Sequence, residues 1–392
     1  MVYSKNNDKH KASLKLQQIF TLFLKIGAIS FGGGATTIAF LQKYLVIDKN
    51  LITEDDLAVA VTLGQLIPGP FIPNYVEYVG YQLKGIKGMI VSVVGFLLPG
   101  TLAMIGLSAW YFSLANAEYL RLIFRYLAPA IIGILIWATL NICRWYIKNS
   151  RDLFVAILAL ILSIMRISPV IIVLGCGLLG ILYHMSYKKT NALLTGLFCG
   201  SLPMSNKLFN ALTIGGIFFY IGSISFGGGY AAIPFILKET SILRNWLTYQ
   251  ELLVGVAFSQ ITPGPVALLS TFVGYKVLGI LGALVATIAI FLPATLILYL
   301  ILLTGKYLKD NRRFNFLSTY LEHFINGVKP SIAGYMIFTV VAMGINNSVL
   351  NSQWIFNLLF IIISFLLIQR FKLNPIWIIL GAIAIGLILT VF

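Results

Sequence analysis

The chain has 392 residues, of which 59% are hydrophobic and only 10% charged, with a formal net charge of +16. Soluble domains carry charge on about a quarter of their residues, so a soluble globular fold is excluded. Charge-free runs such as residues 279–303 and 354–368 suit a bilayer, and in lipid the backbone must satisfy its own polar groups. The fold class is an all-α, polytopic membrane protein. The basic residues lie scattered between apolar segments, which argues against a nucleic-acid partner and for topology signals and contacts with the lipid bilayer.

Residues 1–18 are polar and Lys-rich, without a signal-peptide core, and favour a cytoplasmic N-terminus. Residues 19–40 form an apolar segment interrupted by Ser30-Phe31-Gly32-Gly33-Gly34. After a polar loop, Thr53 stands three residues before Asp56, the spacing of a helix capping box. Residues 57–83 are broken by Gln65-Leu66-Ile67-Pro68-Gly69-Pro70. The prolines lack N–H donors and clash with a continuing helix, and glycine adds freedom between them. Two further segments, 88–112 and 122–143, carry one proline each, and two short ones follow at 153–165 and 168–187. Residues 188–207 read as a linker with an apolar patch.

The pattern then repeats over residues 208–392. Ser225-Phe226-Gly227-Gly228-Gly229 copies the first glycine cluster at an offset of 195, and Thr248 with Glu251 copies Thr53 with Asp56 at the same offset. Gln260-Ile261-Thr262-Pro263-Gly264-Pro265 shares it, Gly80 matches Gly274 at 194, and Pro129 matches Pro330 at 201. Residues 19–187 and 208–392 are therefore two homologous transmembrane repeats. Lys/Arg residues cluster after the fourth segment of the first repeat (Arg144, Lys148, Arg151) but after the third of the second (Lys306, Lys309, Arg312, Arg313). Corresponding loops thus fall on opposite sides, as in inverted repeats. Crossing and re-entrant paths for the Pro-Gly-Pro segments both remain open.

A helix broken at membrane depth is tolerated where its loose backbone is buried in protein or lines a wet cavity, and paired breaks point to a transporter's substrate site. Glycine clusters let successive N–H groups face one anion, and the helix N-termini after Pro70 and Pro265 add donors and positive potential. Gln65 and Gln260 offer neutral donors, and Ser30, Ser225 and Ser259 offer hydroxyls. The competing readings are close helix packing for the glycines and interhelical hydrogen bonding for the glutamines. Lys25 and Arg125 lie near segment ends, where they snorkel to headgroups. Lys329, in mid-segment, is the better anion-attracting residue. Glu77 is a candidate coupling carboxylate, with pairing to Lys84 as the alternative. Its counterpart in the second repeat is Thr271.

The paired Phe-Gly-Gly-Gly and Gln-x-x-Pro-Gly-Pro motifs resemble those of the chromate ion transporter family, in its long form with two homologous halves. That resemblance covers nearly the whole chain. It implies a multi-pass protein of the bacterial inner membrane that exports chromate, a divalent oxyanion shaped like sulfate, at the expense of the proton motive force. Carried over residue by residue, the family motifs fall on Phe31 to Gly34, Gln65, Pro68 to Pro70 and their second-repeat equivalents. Lys329 departs from the symmetry, since Ala128 matches it. Sulfate is an alternative cargo, an anion channel an alternative mode, and a homodimer an assembly that the class allows. An intramembrane enzyme would need a nucleophile with a base, or a metal cluster. His10, His184 and His323 are far apart, no HExxH or GxSxG spacing occurs, and Cys143, Cys176 and Cys199 read as packing residues. No catalytic residue, cofactor or metal is expected.

Overall fold

The computed structural model describes residues 14–31, 34–114, 118–185, 206–305, 312–346 and 354–391. Among these there is no strand. The first repeat runs α1 (Leu16–Ile29), α2 (Gly34–Leu41) closing in a π-helical turn (Gln42–Ile47), α3 (Glu54–Leu66), α4 (Phe71–Leu114), α5 (Glu118–Tyr146), α6 (Ser150–Ile164) and α7 (Pro169–Met185). The second matches it element for element: α8 (Asn206–Ile224), α9 (Gly229–Leu237) with a π-helical turn (Lys238–Leu243), α10 (Tyr249–Ile261), a 3-10 turn (Val266–Leu268) leading into α11 (Leu269–Gly305), α12 (Arg312–Asn346), α13 (Trp354–Phe371) and α14 (Pro375–Val391). Most of the 188–207 linker and Cys199 lie outside the described residues. Among the described residues, five helical stretches are long and apolar enough to cross a membrane: Phe71–Leu114, Tyr126–Tyr146, Val266–Thr304, Glu322–Ile345 and Trp354–Phe371.

Both capping boxes form. Thr53 Oγ1 accepts from the Asp56 N–H at 3.1 Å, and Asp56 Oδ2 accepts from the Thr53 N–H at 3.1 Å. Thr248 and Glu251 make the same exchange at 3.1 and 2.8 Å. Thr248→Ala removes one cap acceptor and is expected to lower stability by about 1 kcal/mol. A thermal melt of the purified protein in detergent checks this, and an unchanged midpoint would show that α10 starts without its cap.

Each Pro-Gly-Pro segment doubles back as a helical hairpin. The α3 helix has 13 residues, about 20 Å at 1.5 Å per residue, too short to span alone. At Pro68-Gly69-Pro70 the chain turns, and Asn74 Nδ2 donates back to the Gly64 carbonyl at 3.3 Å. In the second repeat Phe258 and Phe272 pack at 5.9 Å between ring centres. At the open end Lys276 Nζ reaches Glu251 Oε1 at 2.8 Å, so the start of α10 meets the far end of the returning limb.

A second reversal follows in both repeats. α4 and α11 are each two limbs joined at a sharp bend, with non-helical backbone at Lys84-Gly85 and Leu278-Gly279. Gly85 and Gly279 sit at φ +60° and +61°, a conformation that favours glycine. The limbs then press together so closely that a Cβ on Gly80 would lie 2.6 Å from the Gly88 carbonyl oxygen, and one on Gly274 would lie 2.2 Å from that of Gly282. Between lipid tails, such close backbone approach supplies the dispersion contact that holds helices together.

The repeats are interwoven. α5 packs along α13 and α14 of the second repeat, while α12 packs along α6 and α7 of the first. Small residues allow both contacts: Gly133 sits against the Ile361 backbone and Gly334 against that of Ala156.

Candidate substrate site

The two hairpin tips meet the opposite repeat in the same way. The Gly69 N–H donates to the Ser225 carbonyl at 2.5 Å, and the Gly264 N–H donates to the Ser30 carbonyl at 2.9 Å. Both glycines are left-handed, at φ +104° and +108°. Each tip also rests on the long limb of the other repeat. The Cβ position of Gly69 is 3.2 Å from the Ala294 methyl, and that of Gly100 is 2.1 Å from the Pro263 carbonyl oxygen. The fractures are therefore brought together as joints. Their glycine amides are taken by backbone carbonyls and are not donors for an anion, contrary to the expectation of free amides at these positions.

Donors gather beside the joint. A cavity of about 1320 Å³ is lined by Gln65 and Phe71 of the first tip and by Gly227 of the second repeat. Asn141 and Tyr146 enter from the end of α5, Lys148, Asn149, Arg151 and Asp152 from the start of α6, and His323, Asn326 and Lys329 from α12. Lysine and arginine outnumber the single carboxylate of the lining, which favours an anion. Gly227 and Gly228 lie at φ +107° and +89°, and the first backbone bond after them runs from the Ala231 N–H to the Gly228 carbonyl at 3.1 Å. The amides from Gly227 to Tyr230 precede that bond, as at any helix N-terminus. The Tyr146 hydroxyl oxygen lies 2.1 Å from the Cβ position of Gly227, so a larger residue there would displace that side chain. Lys329 Nζ stands 6.0 Å from the centre of the Tyr146 ring, a cation–π distance that steadies the ammonium.

The residues singled out by sequence divide clearly. Gln65, Gly227 and Lys329 come together in the cavity. Gln65 is exposed there and also neighbours the Tyr75 hydroxyl. Gln260 is only 7% exposed. Its Oε1 accepts from the Tyr230 hydroxyl at 3.0 Å, and its Nε2 is buried without a partner. Phe226 is buried, Phe31 is half-buried, Gly228 lies beneath the Phe71 ring and Gly229 against Val266. Pro68 and Pro263 are half-buried, and Pro70 and Pro265 are buried in the joints. Gly32 and Gly33 lie outside the described residues, and Gly34 begins α2.

The serine hydroxyls do not reach the cavity. Ser30 Oγ donates to the Ile26 carbonyl at 2.7 Å, Ser225 Oγ to that of Ile221 at 2.5 Å, and Ser259 Oγ to that of Val256 at 2.7 Å. A buried serine in an apolar helix bonds its own preceding turn unless another acceptor is nearer. Lys25 is exposed, and the side chain of Arg125 lies outside the described part.

Glu77 is fully buried on the returning limb of the first hairpin. The Thr295 hydroxyl, from α11 of the other repeat, donates to its Oε1, while Oε2 is buried without a partner. Lys84 does not pair with it, because Lys84 Nζ donates to the Leu14 carbonyl at 2.6 Å. The counterpart Thr271 hydroxyl pairs with that of Thr287 at 2.7 Å.

Lys148, Arg151, Tyr146, Asn141 and Asn326 are the lining residues that sequence reasoning missed. The signal was present, since Arg144, Lys148 and Arg151 form a basic run, but a loop run reads first as a topology marker.

Two homologous halves, interlocked at broken helices beside a basic, polar cavity, define a multi-pass membrane transporter rather than an enzyme. The chain belongs to the chromate transporter family, whose model matches residues 17–181 and 212–387. It is 30% identical to a chromate transport protein of Cupriavidus metallidurans over 95% of this chain and 93% of that one. It is also 30% identical to a probable chromate transport protein of Synechococcus elongatus, over 84% of each chain. An uncharacterized transporter of Methanocaldococcus jannaschii is 29% identical over 94% of this chain and 93% of its own. No solved structure matches the chain significantly.

Proposed function

We propose that the protein exports chromate across the cell membrane, holding the dianion in the cavity among Gln65, Gly227 and Lys329 and exchanging it for protons carried by Glu77. The observation that carries this reading is the convergence of all three binding residues on one cavity, two of them from the second repeat. A tetrahedral dianion needs several donors and positive potential. Hydrogen bonds to a charged partner are worth about 1.5–3 kcal/mol each, so a few offset part of its dehydration cost. Neutral glutamine and backbone donors hold it without trapping it.

Glu77 suits the coupling role because it reports across the repeat boundary. Its carboxyl has one oxygen bonded to Thr295 of the other half and one bare. Ionisable groups so buried in membrane proteins commonly form proton relays. Loading or unloading a proton there alters a contact that ties the two repeats together. The reciprocal joints and the mirrored loop charges further support inverted repeats that rock about the interlocked tips.

Uptake of labelled chromate into inverted membrane vesicles tests this reading. Saturable uptake, stimulated by an acid lumen, is expected. Current without saturation or exchange would instead mark a channel, and complete suppression by equimolar sulfate would make sulfate the preferred cargo. Glu77→Gln is expected to keep chromate exchange across the membrane while losing the pH-driven accumulation, by about tenfold or more if proton binding drives transport. Accumulation undiminished in that variant would remove Glu77 from coupling.

A further inference from the structure

The cavity is lined by two lysines from different repeats. Lys329 comes from mid-α12 and is half-buried, and Lys148 is exposed in the turn between α5 and α6. Both side chains line the same cavity, one from each repeat. The one carboxylate in the lining, Asp152, is engaged locally: its Oδ2 accepts from the Lys148 backbone N–H at 2.9 Å, and the Asp152 N–H donates to Asn149 Oδ1 at 3.0 Å. Glu322, an exposed carboxylate, stands beside the lining residue His323. Arg151, His323 and Tyr146 are the other charged or titratable groups of the lining. Two ammonium groups lining one cavity repel each other, and that repulsion is relieved most by a ligand with two negative charges.

We propose that Lys148 and Lys329 form a two-point clamp that selects divalent over monovalent oxyanions, with Lys148 the specificity-determining residue at the mouth. The inference rests on the cavity being the oxyanion site and deepens that reading by fixing the charge of the ligand. Lys329 on the second repeat and Lys148 on the first each contribute one charge, so the selective site exists only once the repeats are interwoven. It is also one-sided. Ala128 replaces Lys329 at the corresponding position, and residues 344–352, the loop corresponding to that of Lys148, carry no charge. A monovalent anion can neutralise only one ammonium and leaves the other facing a like charge.

The test uses the purified full-length protein and two tetrahedral probes, sulfate and perchlorate, read by thermal stabilisation. Chromate transport in proteoliposomes at alkaline pH is measured alongside. Wild type is expected to be stabilised by sulfate at concentrations where perchlorate has little effect. Lys148→Gln is expected to weaken sulfate binding by about fivefold, the worth of one solvated charge pair. It should leave perchlorate binding nearly unchanged, raise the chromate KM by a similar factor with Vmax retained, and be rescued by Lys148→Arg. The fold should survive, because the Asp152 bond uses the Lys148 backbone and not its side chain. Equal loss of sulfate and perchlorate binding would overturn the clamp and leave a diffuse electrostatic funnel. Unchanged sulfate binding in Lys148→Gln would overturn it as well. A wild type that binds sulfate selectively but does not move chromate would leave the clamp standing and sink the export reading instead.

Discussion

Lys329→Ala is expected to cut chromate transport about tenfold to a hundredfold at unchanged abundance, the loss of one charge-assisted hydrogen bond to a dianion. The effect should be large because the ammonium is half-buried, lines the cavity and is held against the Tyr146 ring. A partly desolvated charge acts through a lower effective dielectric than one at the surface. Lys329→Arg keeps the charge and should recover much of the rate. Transport by reconstituted protein, normalised to its amount, gives the answer. A rate within twofold of wild type in Lys329→Ala would mean that the anion is held elsewhere. Gln65→Ala, which removes a neutral donor to the same charged ligand, should weaken binding by about tenfold or more, on the scale of a hydrogen bond to a charged partner.

Gly100→Ala should strongly damage the joint between the repeats. Its Cβ would sit 2.1 Å from the carbonyl oxygen of Pro263 and 2.6 Å from a Leu268 methyl. The first neighbour is backbone at the tip of the second hairpin, so relief requires that tip to withdraw from its seat. Withdrawal also stretches the Gly264–Ser30 hydrogen bond. Overpacking of this kind costs about 1–3 kcal/mol, and the lost bond adds to it. A fall of several degrees in melting midpoint is expected, with transport lost at temperatures where the fold survives. Gly106→Ala is the control, since nothing lies within 4 Å of its Cβ position, and it should behave as wild type. The second repeat has Ala294 at the position matching Gly100, 3.2 Å from the Cβ position of Gly69. The two seats are thus related but not equal.

Glu77 separates what was readable from what was not. Its place inside an apolar segment marked it as functional or paired, and Lys84 was the nearest partner in sequence. The partner is Thr295, more than half the chain away, because the second repeat brings α11 across the first hairpin. Gln65 and Gln260 show the same limit. They match in the repeat and differ in the fold: one opens to the cavity, and the other is closed over by Tyr230. The first repeat has Ala35 where the second has Tyr230, a visible difference whose meaning depended on which side chain it would reach.

The amino-acid sequence by itself determined the membrane class, the twofold repeat, the caps at Thr53 and Thr248, and the points at which helices cannot continue. All of these are local: a proline removes a donor, a left-handed turn needs glycine, and threonine three residues before an acid closes a helix end. Only the tertiary structure decided that each broken segment turns back, that the Gly69 and Gly264 amides are consumed by the opposite repeat, and that Lys148 and Lys329 share one cavity. A break says where a helix stops, but the direction the chain then takes is set by the surface that receives it. Here that surface belongs to the other repeat: Ser225 receives Gly69, and Ser30 receives Gly264.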